Sequence, residues 1–124
     1  MEAIAHARFQ RFGARKVAQV LKQIRGMSLE KATETLPLTQ RRCAVMVAKT
    51  LKSASSKLQK KLGKKMDPAN IWITQAWVGL GPMGQMKRVK PAPMGRAMTF
   101  KRKVCHVTMV VADERAGKRN NNGK

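Results

Sequence analysis

Acidic residues are scarce in this chain: six Asp and Glu stand against 27 Lys and Arg, a formal charge of +21 over 124 residues. Self-repulsion on that scale opposes a compact state. The charge therefore implies an anionic partner, and nucleic acid comes first. A membrane surface is the runner-up, since basic amphipathic helices also bind anionic lipid. Aromatics are scarce too, at 4%, with no Tyr at all. That argues against the several-ring platforms on which single-stranded RNA stacks, and toward recognition of folded RNA by backbone and shape. Only two cysteines occur, Cys43 and Cys105. Their spacing fits neither a close disulfide nor a zinc pattern, so they read as buried thiols in a reducing cytosol. No apolar run is long enough to span a bilayer. The opening Met1-Glu2-Ala3-Ile4 carries an early acid and no apolar segment of the secretory kind, so the expected location is the cytoplasm.

The scarcity of acids also excludes most catalysis. Converging acids, bases or metal ligands are needed, and no carboxylate lies within the basic segment from Pro68 through Ala112. A zinc site from Cys43, Cys105, His106 and His6 is disfavoured, because adjacent strand residues point to opposite faces. The reading is therefore a non-enzyme with no cofactor, no metal and no small-molecule substrate. The apolar fraction, 43%, is that of a folded domain rather than a basic tail.

Along the chain, Glu2 to Phe12 is a weak edge-strand candidate, because Ala has low strand preference. Val17, Val20, Leu21 and Ile24 recur at helical spacing, and Gly26 follows. This predicts an amphipathic helix over 14–25 with Arg15, Lys16, Lys22 and Arg25 largely off the apolar stripe. Ser28 is a suitable cap for a short helix that Pro37 should stop. Thr39 is a candidate cap for a longer third helix, whose stripe is Ala44, Val47, Ala48, Leu51, Ala54 and Leu58, with Gly63 as terminator. Lysines crowd its second half. Some suit the helix dipole, and part of the run is expected to face phosphate. Ile71–Val78 and Lys103–Val111 read as strands, with Cys105, Val107, Met109 and Val111 as the core face of the latter. Residues 114–124 read as a disordered basic tail, leaving 1–113 as one domain.

Between those strands, residues 79–102 hold Gly, Pro and Met and, with Lys103, seven basic side chains. A structureless connection of that length is rare in a compact domain. A two-stranded arm is the better reading, with sides of about 11 residues reaching on the order of 35 Å. Such a hairpin is marginal alone and needs a partner supplying negative charge and a shaped crevice, which folded RNA does. Arg88 and Arg96 can fork onto phosphate or stack on bases. Gly84 and Gly95 permit positive φ and close approach, and Met83, Met86, Met94 and Met98 suit irregular apolar gaps.

Gly13-Ala14-Arg15-Lys16-Val17 through Ile24-Arg25-Gly26 resembles the first helix of a known family. Gly81-Pro82, Met86-Lys87-Arg88, Pro91, Gly95-Arg96-Ala97, Lys101-Arg102 and His106–Val111 resemble its long hairpin and final strand. The family is the bacterial-type large-subunit ribosomal protein L-twenty-two, and the likeness covers residues 2–113. It implies an α+β fold of three helices on a three-stranded antiparallel sheet with a protruding β-hairpin. It further implies a structural role in the large ribosomal subunit, early in assembly, with the hairpin threading ribosomal RNA and lining the peptide exit tunnel. The implied partners are large-subunit RNA, neighbouring large-subunit proteins and the nascent peptide. A cytoplasmic ribosome is favoured over an organellar one. By position, Lys87, Arg88, Lys90 and Arg96 would contact RNA near the tip. Lys101, Arg102 and Lys103 would do so on the returning strand, and Arg11, Arg15, Lys16 and Arg25 on the body. Gly84, Met86, Pro91, Met94 and Gly95 would shape the tip. Met83-Gly84 looks like a two-residue insertion, and the turn carries an extra proline. The rival reading is a general basic nucleic-acid-compacting protein.

Overall fold

A computed structural model of the chain describes residues 1–114. The tail expected beyond them lies outside the described residues. The element order is β1 (Glu2–Gln10), α1 (Ala14–Ile24), α2 (Leu29–Leu38), α3 (Cys43–Leu62), β2 (Trp72–Leu80), β3 (Lys87–Pro91), β4 (Ala97–Lys101) and β5 (Cys105–Ala112). The body sheet is antiparallel in the order β1-β5-β2, and β3 pairs only with β4. This is the α+β architecture the resemblance implied: three helices on a three-stranded sheet with a separate hairpin.

The core sits between one sheet face and the helices. Val17, Val20, Leu21 and Ile24 of α1 are buried against it, as the spacing required. Leu51 and Leu58 of α3, Ile71, Ile73 and the set Cys105, Val107, Met109 and Val111 are wholly buried. Each large side chain removed from water contributes about 1.5–3 kcal/mol. Cys105 points into this core, whereas His106 lies on the opposite sheet face, where it meets Phe9.

Several local signals resolve differently from the sequence reading. Pro37 lies inside the last turn of α2, which runs through Leu38. Thr39 is the C-cap of α2 rather than the start of α3, which begins at Cys43 after Arg42. The proline lacks an N–H to bond the i−4 carbonyl and its ring crowds that carbonyl, and the helix ends one residue beyond it. Gly63 does end α3, in the left-handed region at φ 68°. The alanine-rich β1 is a full nine-residue strand. Its stability comes from pairing with β5, from Glu2 opposite Ala112 to Gln10 opposite Cys105, and not from its own propensity.

The arm is less continuous than expected. Its ladder has five residues a side, from Lys87 opposite Lys101 to Pro91 opposite Ala97. Below it the Gly81 N–H donates to the Val104 carbonyl at 2.8 Å and the Arg102 N–H to the Met86 carbonyl at 2.9 Å. Four residues separate Gly81 from Met86, but only one separates Arg102 from Val104. The surplus folds into a turn closed by the Met86 N–H on the Met83 carbonyl at 3.1 Å. That turn holds Met83 and Gly84, the pair expected to be an insertion.

Candidate nucleic-acid interface

The start of α1 is the first component of the site. Gly13 is its N-cap and supplies no side-chain hydrogen bond, and no acid occupies the first turn. The first-turn N–H groups therefore lack side-chain acceptors, and the helix dipole adds partial positive charge there. Arg15 and Lys16 sit in that turn, with Arg11 just before it. Opposite stands the base of the arm, where the backbone bonds of Gly81 and Arg102 hold its outgoing and returning sides together.

Between these walls lies a cleft of about 870 Å³. The body contributes Arg11, Arg15 and Lys16, and the arm contributes Arg88, Lys101, Arg102 and Lys103. Leu80, Met83, Met86 and Phe100 supply its apolar floor. Seven cations thus face one space, and no carboxylate lines it. Phe100 organises part of the arm wall: Lys90 Nζ lies 4.9 Å and Arg102 Cζ 5.1 Å from its ring centroid. Such contacts hold a cation over an aromatic face without neutralising it. The cleft can accept a polyanion whose phosphates are spaced along both walls.

A second groove, about 810 Å³, lies between α1 and α2 and is lined by Gln19, Gln23, Thr35, Leu38 and Thr39. Its single cation, Arg41, donates to the Gln19 side-chain oxygen at 3.0 Å. It lacks the charge to compete for phosphate.

The ribosomal protein L22p/L17e family model matches residues 5–112. This chain belongs to that family. Large ribosomal subunit protein uL22 of Endomicrobium trichonymphae is 41% identical over 113 residues, covering 91% of this chain and 93% of its own length. The protein of the same name from Solibacter usitatus is 37% identical over 116 residues, covering 94% and 100%. That from Prochlorococcus marinus strain AS9601 is 39% identical over 110 residues, covering 89% and 83%. Membership makes the chain a ribosomal protein of the large subunit, with a structural and not a catalytic part in translation.

Within this family member the candidate residues divide. Arg11, Arg15, Lys16, Arg88, Lys101, Arg102 and Lys103 come together at the cleft. Lys90 lies farther out on β3, and Arg96 follows the tip turn. At the tip the Ala92 N–H donates to the Arg96 carbonyl at 2.8 Å, and Met94 and Gly95 both take positive φ, 63° and 68°. Met94 is 93% exposed. Gly84 does not use positive φ, and a Cβ there would meet nothing within 4 Å. The constrained glycine is Gly81, where a Cβ would lie 2.7 Å from Val104 Cγ1.

Arg25 is not at the cleft. Its Nε donates to the Ala76 carbonyl at 2.7 Å and ties the end of α1 to the outer edge of β2, whose first residues already bond the segment 26–29. Two lysines of the α3 run act likewise on the other edge. Lys57 Nζ donates to the Ile4 carbonyl at 3.2 Å and Lys61 Nζ to the Glu2 carbonyl at 2.9 Å. Cations on exposed strands also block edge-to-edge association. Sequence reasoning missed Gly13, Leu80 and Phe100 as cleft residues. A lone phenylalanine amid the arm's cations was the one available signal.

Proposed function

We propose that this protein binds folded large-subunit ribosomal RNA through the cleft and the arm, and that it helps the subunit assemble. The observation that carries the reading is the convergence of seven cations, without a carboxylate, between the start of α1 and the base of the arm. Lys87, Lys90 and Arg96 extend the same chemistry outward, and Arg25 adds its remaining guanidinium nitrogens at the body. The arm is two-stranded and exposed, so RNA domains packed around it supply its order. Its tip, the turn with Pro91, Met94 and Gly95, lines the peptide exit tunnel and meets the nascent chain, whereas Gly84 and Met86, also expected at the tip, belong to the turn at the arm's base. Neighbouring large-subunit proteins are the remaining partners, and the setting is the cytoplasmic ribosome. Residues 1–113 act as one domain with the arm as its extension.

The test is co-sedimentation of tagged protein with ribosomal subunits through a high-salt gradient. Retention at one copy with the large subunit, and loss of stable incorporation when residues 84–96 are deleted, is the expected result. Release together with bulk nucleic-acid binders identifies a general compacting protein instead and overturns the reading.

A further inference from the structure

Phe9 has a conformation and an exposure that the fold does not require. It takes φ 56°, left-handed backbone that bulky L residues rarely adopt. The pairing of β1 with β5 is irregular between Ala7 and Gln10, and a bulge at such a place re-aims a side chain. The conformation is held from β5: the Phe9 N–H donates to His106 Nδ1 at 2.9 Å. The two rings also meet edge-on, with centroids 4.8 Å apart and planes at 87°. His106 Nδ1 accepts this bond, so the neutral ring's proton is on Nε2. One contact holds the backbone and the other the edge of a ring pair, yet Phe9 is 65% exposed.

The surroundings say what such a ring can meet. Arg8 precedes it, Arg11 follows two residues later, and Lys103 lies three residues before His106. Arg11 and Lys103 line the cleft. An exposed aromatic ring on a braced backbone, two residues from Arg11 of the cleft, in a chain of charge +21, is suited to an unstacked nucleotide of the strand whose phosphates the cleft would hold. We propose that Phe9, braced by His106, is a stacking site for one unpaired base of the bound RNA. The inference rests on the RNA reading above and adds to it a site for base contact, where the rest of the interface meets phosphate. Any base fits, because each has a π-face. The low aromatic content is no obstacle, since one ring serves one flipped-out nucleotide.

The full chain is titrated with a large-subunit RNA transcript at several salt concentrations, as wild type and as Phe9→Ala, Phe9→Leu and Phe9→Trp. Loss of a stacked ring weakens binding about 5- to 140-fold. That loss is expected for Ala and for Leu, which keeps apolar bulk without a π-face, while Trp binds like wild type and all salt slopes stay equal. Phe9→Gly controls for the backbone: it takes φ 56° freely, folds, and loses the same affinity. Ultraviolet crosslinking of the wild-type complex is expected to join Phe9 to one nucleotide. Phe9→Leu binding within twofold of wild type overturns the proposal, as does a Phe9 crosslink to a protein in reconstituted subunits. A wild-type chain that does not bind the transcript removes the RNA reading and this site together.

Discussion

Two pairs of cations offer a test at equal net charge. Arg15 and Lys103 face each other's walls across the cleft, whereas Lys57 and Lys61 close the β1 edge through backbone carbonyls. Each phosphate contact contributes about 0.7 to 0.9 to the salt slope of log K, from single strand to duplex. Seven cleft cations, each on one phosphate, give a slope of about −5 to −6. Replacing Arg15 and Lys103 by Ala lowers its magnitude by about 1.4 to 1.8. Between 1 M and 0.1 M salt the deficit relative to wild type grows by about 25- to 60-fold. The edge pair Lys57→Ala, Lys61→Ala removes the same two charges but leaves the slope unchanged, and costs stability of less than about 1 kcal/mol per exposed contact. Filter binding to the RNA transcript across that salt range, with urea unfolding of each variant, measures both quantities. Equal slopes for the two double variants would refute the reasoning, because binding would then follow net charge alone.

Three further outcomes follow from single residues. Gly81→Ala places a Cβ against Val104 Cγ1 and 3.1 Å from the Val104 backbone; crowding of this kind costs about 1–3 kcal/mol, read by urea unfolding, with the arm's base displaced in amide chemical shifts. Arg25→Ala removes the bond to the Ala76 carbonyl, lowering stability by about 1 kcal/mol with a smaller change in salt slope than Arg15→Ala. Burial pushes both the Cys43 and Cys105 thiols up from their ordinary range, so the neutral form favours the fold. That contribution is complete below about pH 8.5 and is lost as pH rises through the raised folded values; thiol-reagent labelling at pH 8 should run only at the rate of unfolding.

The helices were legible because burial repeats at their own period: Val17, Val20, Leu21 and Ile24 mark one face whatever packs against it. The core set of β5 was legible by alternation for the same reason. Local signals misled where a neighbour outweighed them. Thr39 has the chemistry of an N-cap, but it ends α2, and Ala-rich β1 became a strand through its partner. Gly81 was legible as part of the hairpin pattern but not as a constrained glycine, because its constraint comes from Val104 across the chain, while Gly84 looked special only by composition. The cleft was half legible. Charge identified the returning strand and the first helix separately, but nothing in the sequence states that Lys103 and Arg15 share a space or that Lys57 and Lys61 do not. Identical side chains acquire different work from tertiary placement alone.

That division bears on how the arm is ordered. Its five-pair ladder is exposed on every residue except the half-buried Phe100, and a two-stranded ribbon of that kind is marginal in water. The body, in contrast, has a closed core and cations on both sheet edges, so it is expected to fold without RNA. The two regions join where seven like charges face one another, a repulsive arrangement until anions fill it. On the proposed RNA reading, phosphate in the cleft would do two things: relieve that repulsion, and fix the base from which β3 and β4 extend. Binding at the body should precede ordering of the arm, and cleft substitutions should loosen the arm even though they lie outside its ladder. Amide exchange of residues 87–101 in the RNA complex of the Arg15→Ala, Lys103→Ala variant measures this directly. Exchange faster than in the wild-type complex, at RNA concentrations that saturate both, is the expected result, and equal protection would show that the arm is ordered by its own contacts.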